Sequence, residues 1–446
     1  MRLVVVGGGI AGLSAVWEAR RVADERELSL EITLLEQEPR IGGKILTERA
    51  EGIALEWGPD SFLASKPAAQ ELAGELGLTL VHPLDSARRV YLLQRGDLHP
   101  VPSGIVMGIP RGVAGVARAV RNGIVSPAAA ARAAIEPLIP GPPGDGAASG
   151  VLRRRLGPGW STNLVEPLLE GVYGAPADEL GMRGVLPAFA DGRSLVRTAR
   201  RLPQPPNPPF LSIDGGMGRL AEALERELMK EDVRLRLPAV GVVRRDGRLF
   251  VDLEDDTIEA DAIVVAVPAP SAVPLLRPVV PETARVLEGI RFSSSAVVLL
   301  RYAERGLGRV RTGSGYLVPW NEGLAHAACS WVTSKWPHRS RDAWLRAIVT
   351  SPEHLRADDD ALIAHVTDEV GTVMRTTAPP AEVRLHRWDQ ALPVYAPGHL
   401  ERVELAERAL PASIALAGAS YRGLGVPDCI TSGRAAARRV LDAAKP

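Results

Sequence analysis

The chain has 446 residues, with 53 Lys and Arg against 53 Asp and Glu and 46% apolar side chains. That length makes room for two or three domains with well-filled cores. Zero net charge and the lack of a basic stripe exclude a binder that works by attracting nucleic-acid phosphates.

Arg2–Val6 (RLVVV) reads as a short buried strand, Gly7–Gly12 (GGGIAG) as a turn, Leu13–Val22 as an apolar-periodic helix and Glu31–Glu36 as a second strand. Strand, glycine turn, helix and strand form a βαβ unit, which calls for a parallel sheet covered on both faces. Arg2 before an apolar run imitates a secretory leader, but the glycines fall where a nucleotide loop needs them and no clear cleavage site follows. Residues 86–210 are rich in Ala, Gly, Arg and Pro. They predict helical patches at 113–120, 128–134 and 163–169, with Pro-rich connections at 137–150 and 201–209. Arg153, Arg154 and Arg155 read as a solvated helix face.

Asp214–Gly218 opens an amphipathic helix, and strand signals follow from 235 to 267, with turns at 246–247 and 255–256. Residues 290–400 mix strands (295–302 and 315–318) with a helix at 361–374. A strand at 413–417 leads into Gly418 and a last helix over 430–443. The longest uncharged run, Ala262–Leu276, is interrupted by Pro268, Pro270 and Pro274 and is too short to span a bilayer. Two cysteines, Cys329 and Cys429, cannot frame a disulfide scaffold and point to a cytoplasmic setting. Eight scattered histidines give no metal-ligand spacing, so no metal is expected. Five lysines stand among forty-eight arginines.

The chemistry begins at Gly7-x-Gly9-x-x-Gly12. The first glycine permits the tight turn, the second lets backbone approach a pyrophosphate, and the third lets helix and strand pack closely. Glu36, ending the second strand, would accept hydrogen bonds from ribose hydroxyls. Arg40-Ile-Gly42-Gly43-Lys44 adds a second glycine-opened approach to the same dinucleotide.

This RxGGK arrangement resembles the FAD-binding amine-oxidase superfamily. The resemblance implies a C-terminal strand, glycine and helix whose N-terminus faces the flavin, here Ala415–Gly418 followed by Gly425 and Val426. The superfamily often has an acidic residue after that first glycine, whereas this chain has Ala419. No second GxGxxG follows a strand, so no NAD(P)H site is apparent and the electrons would leave to a small acceptor, most simply O2.

Five further blocks resemble the bacterial porphyrinogen oxidases of haem synthesis. They are Gly58–Leu63 (GPDSFL), Glu166–Gly174 (EPLLEGVYG), Gly215–Leu220 (GGMGRL), Arg387–Pro393 (RWDQALP) with His399, and Tyr421–Cys429 (YRGLGVPDC). The family often reads Glu-Arg-Gly-Pro where this chain has Glu56-Trp57-Gly58-Pro59. The resemblance implies an α/β protein: a Rossmann-like FAD-binding domain (1–85, 211–285 and 405–446), a helical insertion (86–210) and a mixed β-sheet substrate domain (286–404).

The residues implied to hold FAD are Gly7, Gly8, Gly9, Ile10, Ala11, Gly12, Glu36, Gln37, Gly42, Gly43 and Lys44, then Gly58, Pro59, Asp60 and Ser61, then Val240, Trp388, Gly418, Gly425 and Val426. Trp388 has an equal claim as a core aromatic, and Glu166–Gly174 also reads simply as a core helix and turn. Lys66 matches a lysine of that family thought to serve turnover.

The implied reaction is oxidation of a porphyrinogen by FAD, with O2 as final acceptor and hydrogen peroxide released. Coproporphyrinogen III, with four propionates, suits an arginine-rich chain without a spanning segment better than protoporphyrinogen IX. Hand-off to a ferrochelatase would follow, and peripheral membrane contact is left open. Two alternatives stand beside this reading: another flavin oxidase or desaturase of the superfamily, such as an amine oxidase, and a non-enzymatic isoprenoid-type carrier on the same fold.

Overall fold

The computed structural model describes residues 1–141, 144–190, 194–204, 208–303, 306–307, 312–338 and 340–443; positions 142–143 and 205–207 of the Pro-rich connections lie outside them. A five-stranded parallel sheet runs in the order 232–234, 31–35, 2–6, 262–265, 414–416. Alternation along each strand splits its apolar residues between two cores. Leu3, Val5, Ile32, Leu34, Ala262 and Val264 face the helices Ile10–Glu25 and Val426–Ala443. Val4, Val6, Ile263, Val265, Ile414 and Leu416 face the other way. There they meet an antiparallel ribbon (241–245, 248–252, 257–260) and the helices Ala269–Leu276, Pro281–Leu287 and His399–Ala409.

A second sheet of seven strands runs in the order 382–393, 292–302, 343–349, 326–331, 315–317, 90–94, 97–100. All its pairs are antiparallel except 315–317 with 90–94. Helix Asp359–Met374 covers one face through Leu362, Val366 and Val370. On the other face Val297, Leu299 and Trp344 pack against Ile53, Leu55 and Trp57 of the hairpin 47–50/53–56. That contact fixes where the chain at Trp57–Gly58 lies between the two sheets. A separate helical core gathers around Trp160, Leu164, Leu169, Leu180 and Met182.

Three expectations change. Strands Val90–Gln94 and Asp97–Pro100 join the seven-stranded sheet rather than the helical segment that begins the 86–210 span. Their turn puts Arg95 and Gly96 at φ of 53° and 79°, a primed hairpin turn without the usual Asn or Asp signal. Arg155 is buried, not solvated: it pairs with the buried Glu136 at 2.6 Å, which also accepts from Ser194 Oγ and the amides of Leu195 and Val196. The last helix starts at Val426, four residues earlier than the pattern predicts, because Pro427 is tolerated in a first turn that needs no donor.

Candidate functional site

Strand Arg2–Val6 ends at Gly7, whose φ of 107° lies in the region open to glycine. The chain turns back so tightly that a Cβ on Gly12 would overlap Gly7 O. At Gly9 the opposite holds: nothing lies within 4 Å of where a Cβ would stand. No side chain caps helix Ile10–Glu25 at that residue, so its N-terminal dipole faces open space. Gly42 lies against the same turn, its N–H donating to Gly8 O at 2.8 Å, and Gly9 and Gly42 form a parallel bridge. Gly43 stacks on Gly9 Cα with φ of 56°. Gly418, φ 115°, sits against Ala11 and donates to Ser432 Oγ at 3.1 Å. Thus Gly7–Gly12, Gly42, Gly43 and Gly418 converge on one bare-backbone cradle, which fits a pyrophosphate.

Glu36 is buried beside the cradle. Its carboxylate accepts from the Gly8 N–H at 2.7 Å and the Glu38 N–H at 2.9 Å, and each oxygen keeps a lone pair for a hydroxyl. Gln37 turns its amide outward toward Glu38 and does not join the cluster. Leu237 donates to Glu36 O, and three residues on Val240 leaves its apolar side chain half-exposed. These positions suit a ribose and an adenine face.

The far end is built around Gly58–Ser61. A Cβ at Gly58 would overlap Lys44 O, so the two segments cross in contact. Asp60 is paired with Lys335 (Nζ to Oδ2, 2.7 Å) and accepts from Ser61 Oγ at 2.8 Å, while Arg346 donates to Gly58 O. Burial alone would raise the Asp60 carboxyl; Lys335 and Arg346 outweigh it and hold it well below the carboxylate range. Trp388 donates from Nε1 to Trp57 O at 2.8 Å and packs edge-on against His386 with centroids 4.3 Å apart. It therefore both joins the core and borders the segment. Burial lowers the Lys44 ammonium, with the Cys429 thiol opposing. Among the described residues Lys44 makes no hydrogen bond or ion pair, a half-buried cation without an acceptor of its own.

The third part comes from the C-terminus. Tyr395 Oη donates to Ala419 O and accepts from the Gly423 N–H, each at 2.7 Å, and its ring stacks on His399 at 3.9 Å. His399 accordingly clamps the turn, with Nε2 2.9 Å from Tyr421 O, and burial brings it down to about 4. Gly425 and Val426 open the last helix there, and Lys66 binds Asp428 in its first turn at 2.6 and 2.7 Å.

Lys335, Arg346 and Asp428 were not singled out as site residues from the sequence; the only signal for Lys335 was its rarity among arginines. Glu166 is structural, accepting from Arg153 and Ser161 Oγ.

The residues present fit an extended dinucleotide: a bare-backbone cradle at an uncapped helix end, an acid beside it, and an unpaired cation at the far end. Residues 10–441 match the family described as flavin containing amine oxidoreductase. A Bacillus subtilis protein named coproporphyrinogen III oxidase is 31% identical, covering 98% of this chain and 97% of its own. One of the same name from Propionibacterium freudenreichii is 32% identical over 99% and 91%, and a Bos taurus protoporphyrinogen oxidase is 29% identical over 98% of each. A crystal structure from Exiguobacterium sp. 255-15 superposes with a TM-score of 0.85 at 30% identity over 98% of both chains. Putrescine oxidase, at 17% identity and a TM-score of 0.72 over 99% of both chains, shares the fold. Glycine cradle, acid, C-terminal helix and full-length likeness agree: the chain belongs to the flavin containing amine oxidoreductases, with FAD as its cofactor.

Proposed function

We propose that this protein oxidises a porphyrinogen to the porphyrin, taking coproporphyrinogen III in preference to protoporphyrinogen IX, with O2 as final acceptor and hydrogen peroxide as by-product. The observation that carries the reading is how blocks far apart in sequence meet beside the turn before Val426. Gly174 of one block abuts Leu392 of another, Gly171 abuts Leu317 of the second sheet, and Tyr173 lies 6.3 Å from Tyr395, which holds the turn before Val426. Relatives matched along their whole length carry the name coproporphyrinogen III oxidase, which supports the same reading.

FAD, when bound, supplies the hydride acceptor. The chain's own part is to hold a flexible macrocycle with one bridging carbon in reach and to keep water out. The helix Glu166–Tyr173 and the strand Gly315–Leu317 form one wall of the proposed substrate space. Lys335 and Arg346 fix Gly58–Ser61 against the cofactor, and Lys66 acts in turnover beside the first turn of the last helix. Lys66→Met is expected to keep the flavin spectrum while lowering kcat/KM at least about tenfold, ~1.4 kcal/mol in transition-state stabilisation. Unchanged kinetics would remove Lys66 from the site. No helix among the described residues is long and apolar enough to cross a membrane, in keeping with a substrate that carries four propionates. The product would pass to a ferrochelatase.

The test is a comparison of kcat/KM for the two porphyrinogens without detergent, following porphyrin fluorescence and peroxide, with amines as controls. A preference for protoporphyrinogen overturns the substrate assignment, and turnover of amines alone overturns the reaction.

A further inference from the structure

We propose that Asp428 is a positioning residue for the flavin: its carboxylate anchors the Lys66 ammonium and offsets the positive end of helix Val426–Ala443, and this pair sets the reduction potential of the bound FAD. The proposal rests on the reading that Gly425 and Val426 lie against the flavin ring. Asp428 is three residues past Gly425 and folds back to accept its N–H at 3.2 Å. It also receives Lys66 through both oxygens, at 2.6 and 2.7 Å. Gly423, with φ 153°, packs directly on the carboxylate, so that a Cβ there would lie 2.5 Å from Asp428 Cγ. Tyr395 fixes Gly423 from the other side. The acid therefore occupies a moulded place between two chain segments 362 residues apart.

The charge balance gives this geometry its function. An 18-residue helix presents about half a positive charge at its start, and Lys44, without an acceptor among the described residues, lies near Cys429. Lys66 and Asp428 cancel each other. Removing either leaves a net charge at the same place but of opposite sign. Loss of Asp428 leaves a cation that favours the electron-rich reduced cofactor, and loss of Lys66 leaves an anion that disfavours it. A pair that served folding alone would show no such inversion.

The experiment measures the midpoint potential of FAD-loaded protein by anaerobic equilibration with a reference dye, without substrate, for Asp428→Asn, Lys66→Met, the double variant and Asp428→Glu. Asp428→Asn is expected to raise, and Lys66→Met to lower, the reduced-to-oxidised ratio about tenfold at fixed potential, ~30 mV for two electrons. The double variant and Asp428→Glu should return close to wild type. Shifts of the same sign, shifts under about threefold, a double variant that does not return, or outright loss of FAD from Asp428→Asn would each overturn the proposal. Val426→Ala tests the placement separately through the visible flavin spectrum. A changed spectrum with unmoved potentials refutes the charge role alone, and an unchanged spectrum refutes the placement. Because no porphyrinogen is present, failure of the substrate reading leaves this result standing.

Discussion

Glu56 offers a test in which sign and size both follow from the structure. It lies two residues before Gly58, 5% exposed, with one oxygen accepting from Met217 N–H at 2.7 Å and the other from Thr47 Oγ at 2.6 Å. Burial pushes its carboxyl up to about 7 from an ordinary 4.5, the two hydrogen bonds opposing and Asp60 adding to the rise. A carboxyl raised on folding binds its proton more tightly in the native state. Its contribution to stability is therefore complete below about 4.5 and lost as the pH climbs through about 7. The gap of about 2.5 pH units, at 1.36 kcal/mol each, gives about 3 kcal/mol. Glu56→Gln keeps the shape, accepts from Met217 and donates to Thr47, and carries no charge to desolvate. The variant should match wild type in urea at pH 4 and exceed it by as much as about 3 kcal/mol at pH 8. A difference between the two proteins that is the same at both pH values would refute the desolvation argument.

Lys335→Met strands the buried Asp60 carboxylate and is expected to cost about 3 kcal/mol in unfolding experiments; Asp60→Asn in the same chain should recover most of it, and a purely additive double variant would disprove the pairing. Gly433→Ala drives a Cβ into Ala11 O at the crossing of the first and last helices, so a loss of about 3 kcal/mol is expected together with poorer FAD retention on desalting. Acid precipitation should release all the flavin into the supernatant, since the chain has no recognisable cysteine attachment sequence; colour on the pellet would mean a covalent bond.

The cradle was legible because its determinants are local. Gly7, Gly9, Gly12 and Glu36 lie within one βαβ unit, and the steric demands at Gly7 and Gly12 leave a pattern no other residue can write. The charged clamps were not legible, because their partners are remote. Asp60 meets Lys335 from the short helix Val332–Lys335 that follows a strand of the other sheet, 275 residues on, and no periodicity encodes such a distance. Strand Val90–Gln94 was hidden for a similar reason: its neighbour, Gly315–Leu317, is more than two hundred residues away, and Arg95 occupies a turn position where Asn or Asp would have announced a hairpin. The reading of Glu166–Gly174 as a core helix and turn fits the Glu166 carboxylate, which holds Arg153 and Ser161.

The cofactor cradle is closed by the chain's two ends, since Gly418 rests on Ala11 and the helix Val426–Ala443 crosses Ile10–Glu25 at Gly433. At translation rates of roughly 5–20 residues per second, the first half of the cradle waits some 20–80 s on the ribosome for the second. During that interval Ala11 and Ala15, against which Gly433 packs in the finished protein, and Glu18, which receives Arg438, have no C-terminal helix to cover them. A nascent chain at that stage therefore leaves this face of the first helix uncovered, whereas one extended through residue 443 buries it. A chain cut before Val426 is expected to lose FAD on desalting, and one that retains it would show that the cradle does not need the last helix.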